Sequence, residues 1–307
     1  MLPSASTTAA EQIGGAPEPA CTGGGGSDNA TIVEVADAPG FRAALTNENI
    51  ATIVLRASVE FDGALCVDRT LCIKGGAPFA RASSSQALLR VELRVTGGIQ
   101  AVRAARFRVE CLTLRASCSV ADRAALSLLS VRLEGVAPVL SAAGESSICL
   151  EDTYVVGRCQ SEMRSAVRVR EAASFTMHKG AVTGLQGAGL HLSGSGAAII
   201  AAAAILGCAG HGLWIDGAGP CEKHFVLRDC MVEGNGGLGI CLSGAATARW
   251  EGGFVVNNGQ GPVGPARALA TGALRGWSEA GEGPAVDWTK QANGKSVHPE
   301  RDWRKRR

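Results

Sequence analysis

The sequence predicts an all-β protein: a right-handed, single-stranded parallel β-helix with a short helical cap at its N-terminal end. Three observations carry that prediction. First, one short phrase recurs, as Val167-Arg168-Val169, then Gly189 to Gly194, Gly212 to Gly217 and Gly239 to Gly244, in steps of 23, 23 and 27 residues. Second, apolar residues alternate within each phrase (Leu190 and Leu192, Leu213 and Ile215, Ile240 and Leu242), which is the period of a strand with one buried face. Third, glycine-rich turns recur between the phrases, as Gly184 to Gly189, Gly207 to Gly212 and Gly234 to Gly239. A strand–helix–strand unit needs roughly 30 residues. Three short strands with glycine turns fit the shorter period, so each repeat reads as one coil of a solenoid.

Taken in order, Met1 to Ala30 is rich in Ala, Gly, Ser, Thr and Pro and reads as a disordered tail. The β-helix domain is expected over residues 31–275. Thr31 to Val35 is its first strand. Phe41 to Asn47 is a short helix with Phe41, Ala44 and Leu45 on one face, placed to cap the tube. Ile53-Val54-Leu55, Val59-Glu60-Phe61, Leu65-Cys66-Val67 and Leu71-Cys72-Ile73 then follow at six-residue intervals, without room for helices. Pro78 to Gln86 is a polar excursion. Phe107 to Leu114, Leu126 to Leu133 and Ile148 to Val156 are coils of less regular spacing.

In the regular block each phrase is followed by a second apolar segment, starting at Phe175, Ala198, Phe225 and Ala248, and a third around Val182, Ile205, Val232 and Val255. Pro220 to Lys223 accounts for the longer step as a four-residue insertion at a turn. Asn235 and Asn258 share one turn position and are expected to stack or to tolerate left-handed backbone. After Asn258 the pattern decays. Ala266 to Leu274 is a candidate second cap, and residues 276–307 are a polar, finally basic tail.

Composition narrows the function. A net charge of +2 over 307 residues makes no demand for nucleic acid. The longest purely apolar run, Ala197 to Leu206, is too short to span a bilayer, so no membrane role is expected. The N-terminus lacks the apolar core of a secretory signal. Eleven cysteines, an odd number without a Cys-x-x-Cys motif, read as reduced thiols in a cytoplasmic protein.

Residues Ile53 to Gly76, Phe107 to Leu114 and the Gly-Leu-x-Leu-x-Gly coils resemble the pectate-lyase-like right-handed parallel β-helix superfamily. The block from Gly189 to Asn258 is similar to carbohydrate-binding and hydrolase-type β-helix repeats, which also occur in eukaryotic scaffold proteins. The resemblance covers about residues 31–258 and implies the fold, on which lyases, hydrolases, esterases and non-enzymatic scaffolds all occur. Of the segments that polygalacturonases carry, Gly210-His211-Gly212 alone has a counterpart. The chain has no Asp-Asp pair, and the calcium-binding Asp cluster and Arg-x-Pro-x-x-Arg segment of pectate lyases are missing.

Stacked coils align equivalent outward residues at ~4.8 Å. One expected ladder is Arg168, His191, Trp214 and Cys241; the next is Arg170, Ser193, Asp216 and Ser243. Trp214, Arg168, Arg170, His191 and Asp216 are therefore the candidate binding residues, because an outward Trp among charges marks a contact surface. His191 and Asp216, one coil and two residues apart, are the candidate catalytic pair. Cys208, His211, Cys221 and His224 have the look of two zinc half-sites. The intervening strand, however, separates their turns by ~13 Å at ~3.3 Å per residue, so no metal is expected, and no cofactor.

The functional expectation is a non-catalytic binding module or scaffold that recognises a protein or glycan partner through a flat or shallow face around Trp214. The alternative is a divergent polysaccharide lyase or glycoside hydrolase acting through His191, Asp216 and Arg168. A groove lined by two or more carboxylates would favour the enzyme. The oligomeric state is left open.

Overall fold

A computed structural model describes residues 31–76, 91–158, 165–184, 186–217, 225–264 and 274–275. The N-terminal tail, the excursion Pro78–Gln86, the insertion Pro220–Lys223, nearly all of the candidate second cap and the C-terminal tail lie outside these residues.

The chain is a β-solenoid in which every described strand pair is parallel. Among the described residues, strands gather into one 16-stranded and one 9-stranded sheet. The smaller sheet runs one strand per coil, and one column of it reads Leu65, Ile99, Cys118, Leu140, Val167, Leu190, Leu213, Ile240, Val263, rung on rung. All nine are buried. The larger sheet has a matching inward column, Ile53, Ile73, Val109, Leu128, Leu150, Met177, Ile200, Leu227, Trp250. These two columns face inward because apolar residues at every second position can bury only one side of a strand. Each large side chain so buried stabilises the fold by about 1.5–3 kcal/mol.

The second and third apolar segments of a coil are less separate than the sequence suggests. They form one bent element in Ser147–Arg158, Ser174–Gly184, Phe225–Glu233 and Ala248–Val256. Left-handed backbone marks the bend in each coil: Ser130, Asp152, Lys179, Ala202 and Asp229 have φ of 53°, 45°, 63°, 50° and 49°, Gly180 follows Lys179 at 91°, and Gly252 and Gly253 take the place in Ala248–Val256 at 102° and 112°. The chain turns a corner there, and parallel pairing resumes on both sides of it. The coil pattern also continues past Asn258, since Val263–Gly264 and Leu274–Arg275 pair with Ile240–Gly244 and Ala248–Val256.

The helix spans Ala38–Thr46 and is N-capped by Asp37, whose carboxylate accepts from the Gly40 N–H at 2.8 Å. Phe41 and Ala44 are buried, and the Phe41 ring meets Phe61 edge-on at 5.8 Å. On the outer face of the larger sheet, cations flank carboxylates: Glu110 lies between Lys74 and Arg108, Glu134 between Arg115 and Arg132, and Glu251 between Arg228 and Arg249.

Two turns are held by side-chain ladders. The Asn235 amide oxygen accepts from the Cys208 N–H at 3.0 Å, and its NH₂ group donates to Ile205 O and to the Asn258 amide oxygen. Asn258 repeats the pattern one coil on, accepting from the Asn235 N–H and donating to Val232 O. Cys208 is the rung before them, its thiol sulfur accepting from the Gly184 N–H at 3.2 Å. The two asparagines do stack, and in doing so they satisfy backbone groups that the turn leaves without a strand partner.

Candidate functional site

Arg168, His191, Trp214 and Cys241 occupy one outward column of the smaller sheet. Constant strides place them there, because a whole number of coils returns the chain to the same point of the cross-section. The His191 imidazole stacks on the Trp214 indole with centroids 4.3 Å apart and planes 13° from parallel. His211 approaches the same indole edge-on at 6.2 Å.

Beside this column the structure has a cleft of about 440 Å³. Arg168, His191 and Trp214 line one side, and Ser165 at a strand start and His211 and Gly237 from the turns complete it. The cause is a break in strand parity. A Cβ on Gly189 would lie 2.8 Å from Ile205 Cγ2 and 2.9 Å from Cys208 Sγ, both buried, so Gly189 turns inward where strict alternation would turn it outward. The positions just before it, Ser165 and Ala188 with His211 in the next coil, then fall on the cleft side.

His211 is fixed in one tautomer. Its Nδ1 accepts from the Leu238 N–H at 2.9 Å, which leaves the proton on Nε2. Gly237 makes room for the ring, because a Cβ there would come within 2.6 Å of Nδ1. Burial lowers the pKa of His211. The pKa of His191 is also lowered, first by burial and then by the Arg168 charge, against an opposing contribution from Asp216. Burial therefore favours the neutral form of both rings. His191 Nε2 and Ser165 Oγ are buried and have no hydrogen-bond partner among the described residues.

Asp216 is outside the cleft lining. Its carboxylate accepts from the Ser243 hydroxyl at 3.0 Å, and Ser243 Oγ accepts in turn from the Trp214 Nε1–H at 3.0 Å. This relay orients the indole. Arg170 is exposed just past the strand Ser165–Val169, also outside the lining, though its charge reaches His191. The structure thus brings Arg168, His191 and Trp214 together and sets Asp216 and Arg170 to one side.

Sequence reasoning places His211 and Gly237 in turns, says nothing of Ser165, and gives none of them a role in the site. For His211 the available signal is its place three residues before the outward Trp214, next to a glycine that suspends alternation. Of the four zinc-like residues, Cys208 Sγ and His211 Nδ1 accept from the Gly184 and Leu238 amides. The other two lie outside the described residues. Among the described residues no helix is long and apolar enough to cross a membrane. No protein-family model matches the chain, and neither a curated protein nor a solved structure matches it significantly.

Proposed function

We propose that this chain is a non-catalytic binding module of the pectate-lyase-like β-helix superfamily. It recognises a protein or glycan partner through the cleft beside Arg168, His191 and Trp214. One observation carries the reading: a cleft of about 440 Å³ in which an outward Trp, an exposed Arg and two buried unpartnered polar atoms meet. Small, partly apolar concavities with a few convergent polar groups are where proteins bind ligands. Buried polar atoms without partners are costly, and a ligand that pairs with them recovers that cost.

Supporting the non-catalytic form, the described lining residues include no carboxylate, whereas glycosidic cleavage by paired acids needs two flanking one bond. Asp216, the acid nearest in sequence to Trp214, accepts from Ser243 and steadies the indole. The buried thiols Cys118 and Cys230 fit a reducing, cytoplasmic setting.

The test compares wild type with a Trp214→Ala, Arg168→Ala variant on peptide and glycan arrays, after checking that both melt alike. Ligands retained by the wild type should be lost by the variant. If every ligand stays bound, the cleft is not the binding face. Turnover of acidic or neutral polysaccharides, with or without calcium, would replace this reading with the enzymatic one.

A further inference from the structure

We propose that the cleft seats a carboxylate presented by an acidic peptide segment of a protein partner. The inference rests on the binding-module reading above and names the chemistry of its ligand.

Hydrogen-bonding groups line the cleft, and the described residues leave them unused. Ser165 is 5% exposed, and its hydroxyl has no partner. His191 Nε2 is buried and likewise unpartnered. The Leu238 amide commits the His211 proton to Nε2, and no hydrogen bond from that atom is made within the described residues. Arg168 is exposed on the cleft wall with no carboxylate paired to it among the described residues. A guanidinium, a hydroxyl and an imidazole N–H together present what a carboxylate accepts, and charge-assisted bonds of this kind are the strong ones. On the outer face of the larger sheet Glu110, Glu134 and Glu251 each sit between two cations of their own, whereas Arg168 has no such partner among the described residues.

The geometry favours a peptide over a sugar. A pyranose packs on an open aromatic face. One face of Trp214 is covered by His191 at 4.3 Å, and the strand neighbour on the other side places Cys241 next to it. Its Nε1–H is spent on Ser243. The indole therefore offers an edge, which suits an extended chain crossing the column with one acidic side chain turned into the cleft.

The experiment titrates the full chain with fluorescein-labelled octapeptides containing Asp or Glu, and with the same peptides carrying Asn or Gln instead. The acidic member of a pair should bind at least about tenfold more tightly, and Arg168→Gln should remove about tenfold of that affinity. Ser165→Ala should weaken it severalfold, and Arg249→Gln, on the other sheet, should leave it unchanged. Arg168 is exposed, so its variant keeps the core, which equal melting curves verify. Equal binding of acid and amide peptides, or no effect of Arg168→Gln, overturns the proposal. Glycans bound by the wild type and lost in the Trp214→Ala, Arg168→Ala variant, with no acidic peptide bound, overturn it while leaving the module reading intact. Binding of neither class overturns both.

Discussion

The imidazole of His191 lies flat against the indole of Trp214, 4.3 Å away and 13° from parallel, because the two residues pair directly across neighbouring parallel strands. A stacked ring that is also buried prefers to be neutral, and His191 and His211 both have pKa values below the ordinary 6.5. Between 6.5 and those lowered values the unfolded chain binds protons that the native chain does not. The stabilising contribution is thus complete above the unfolded pKa and is lost as pH falls. Melting temperature should drop between about pH 7.5 and about pH 5.5, and drop less in a His191→Gln, His211→Gln variant. An identical pH dependence in the variant would show that neither ring resists protonation.

Asn235 is buried and bridges Cys208, Ile205 and Asn258. Replacing it with Ala removes the acceptor of the Cys208 N–H inside the tube, together with the bonds to Ile205 and Asn258. Urea denaturation should register a loss of about 2–3 kcal/mol. Asn257→Gly, at the neighbouring exposed position with φ of 56° and one surface bond to Glu233, should cost well under about 1 kcal/mol.

Burial pushes the thiols of Cys118 and Cys230 up to about 12. Only the thiolate reacts readily, so iodoacetamide at mildly alkaline pH should spare both in the native protein while it labels exposed Cys66. Peptide mapping by mass spectrometry reads the result. Equal labelling of all three would mean that the coils open far more often than their packing allows.

Gly237→Ala tests the shape of the cleft without touching Arg168 or Trp214. The added methyl lies 2.6 Å from His211 Nδ1, so the ring must move and its bond from the Leu238 N–H weakens. Ligand affinity should fall severalfold with little change in melting temperature. Unchanged affinity would remove His211 from the site.

The columns of this fold were legible in the sequence because one stride repeats and strand alternation fixes which side chains face out. Val167, Leu190, Leu213 and Ile240, and the outward set beginning at Arg168, follow from those two facts alone. Corners were not legible: Lys179 and Ala202 adopt left-handed backbone, and neither residue type announces it. Nor was the cleft. Its depth comes from Ala166, Gly189 and Gly212 suspending alternation in successive coils, which leaves Ser165 and His211 on a side that a strict two-residue period would deny them. The functional part of the column is where the periodic rule fails, so a reading built on periodicity reached Trp214 and stopped short of His211.

The repeated left-handed corner gives the protein an interchangeable cassette. Since Ser130, Asp152, Lys179, Ala202 and Asp229 each turn the chain at the same place in the cross-section, one entire coil cut out or duplicated between two such corners rejoins a backbone of the same shape. Axial length and cross-section are then independent variables. The number of coils can drift over generations while the outline each new coil must match stays constant.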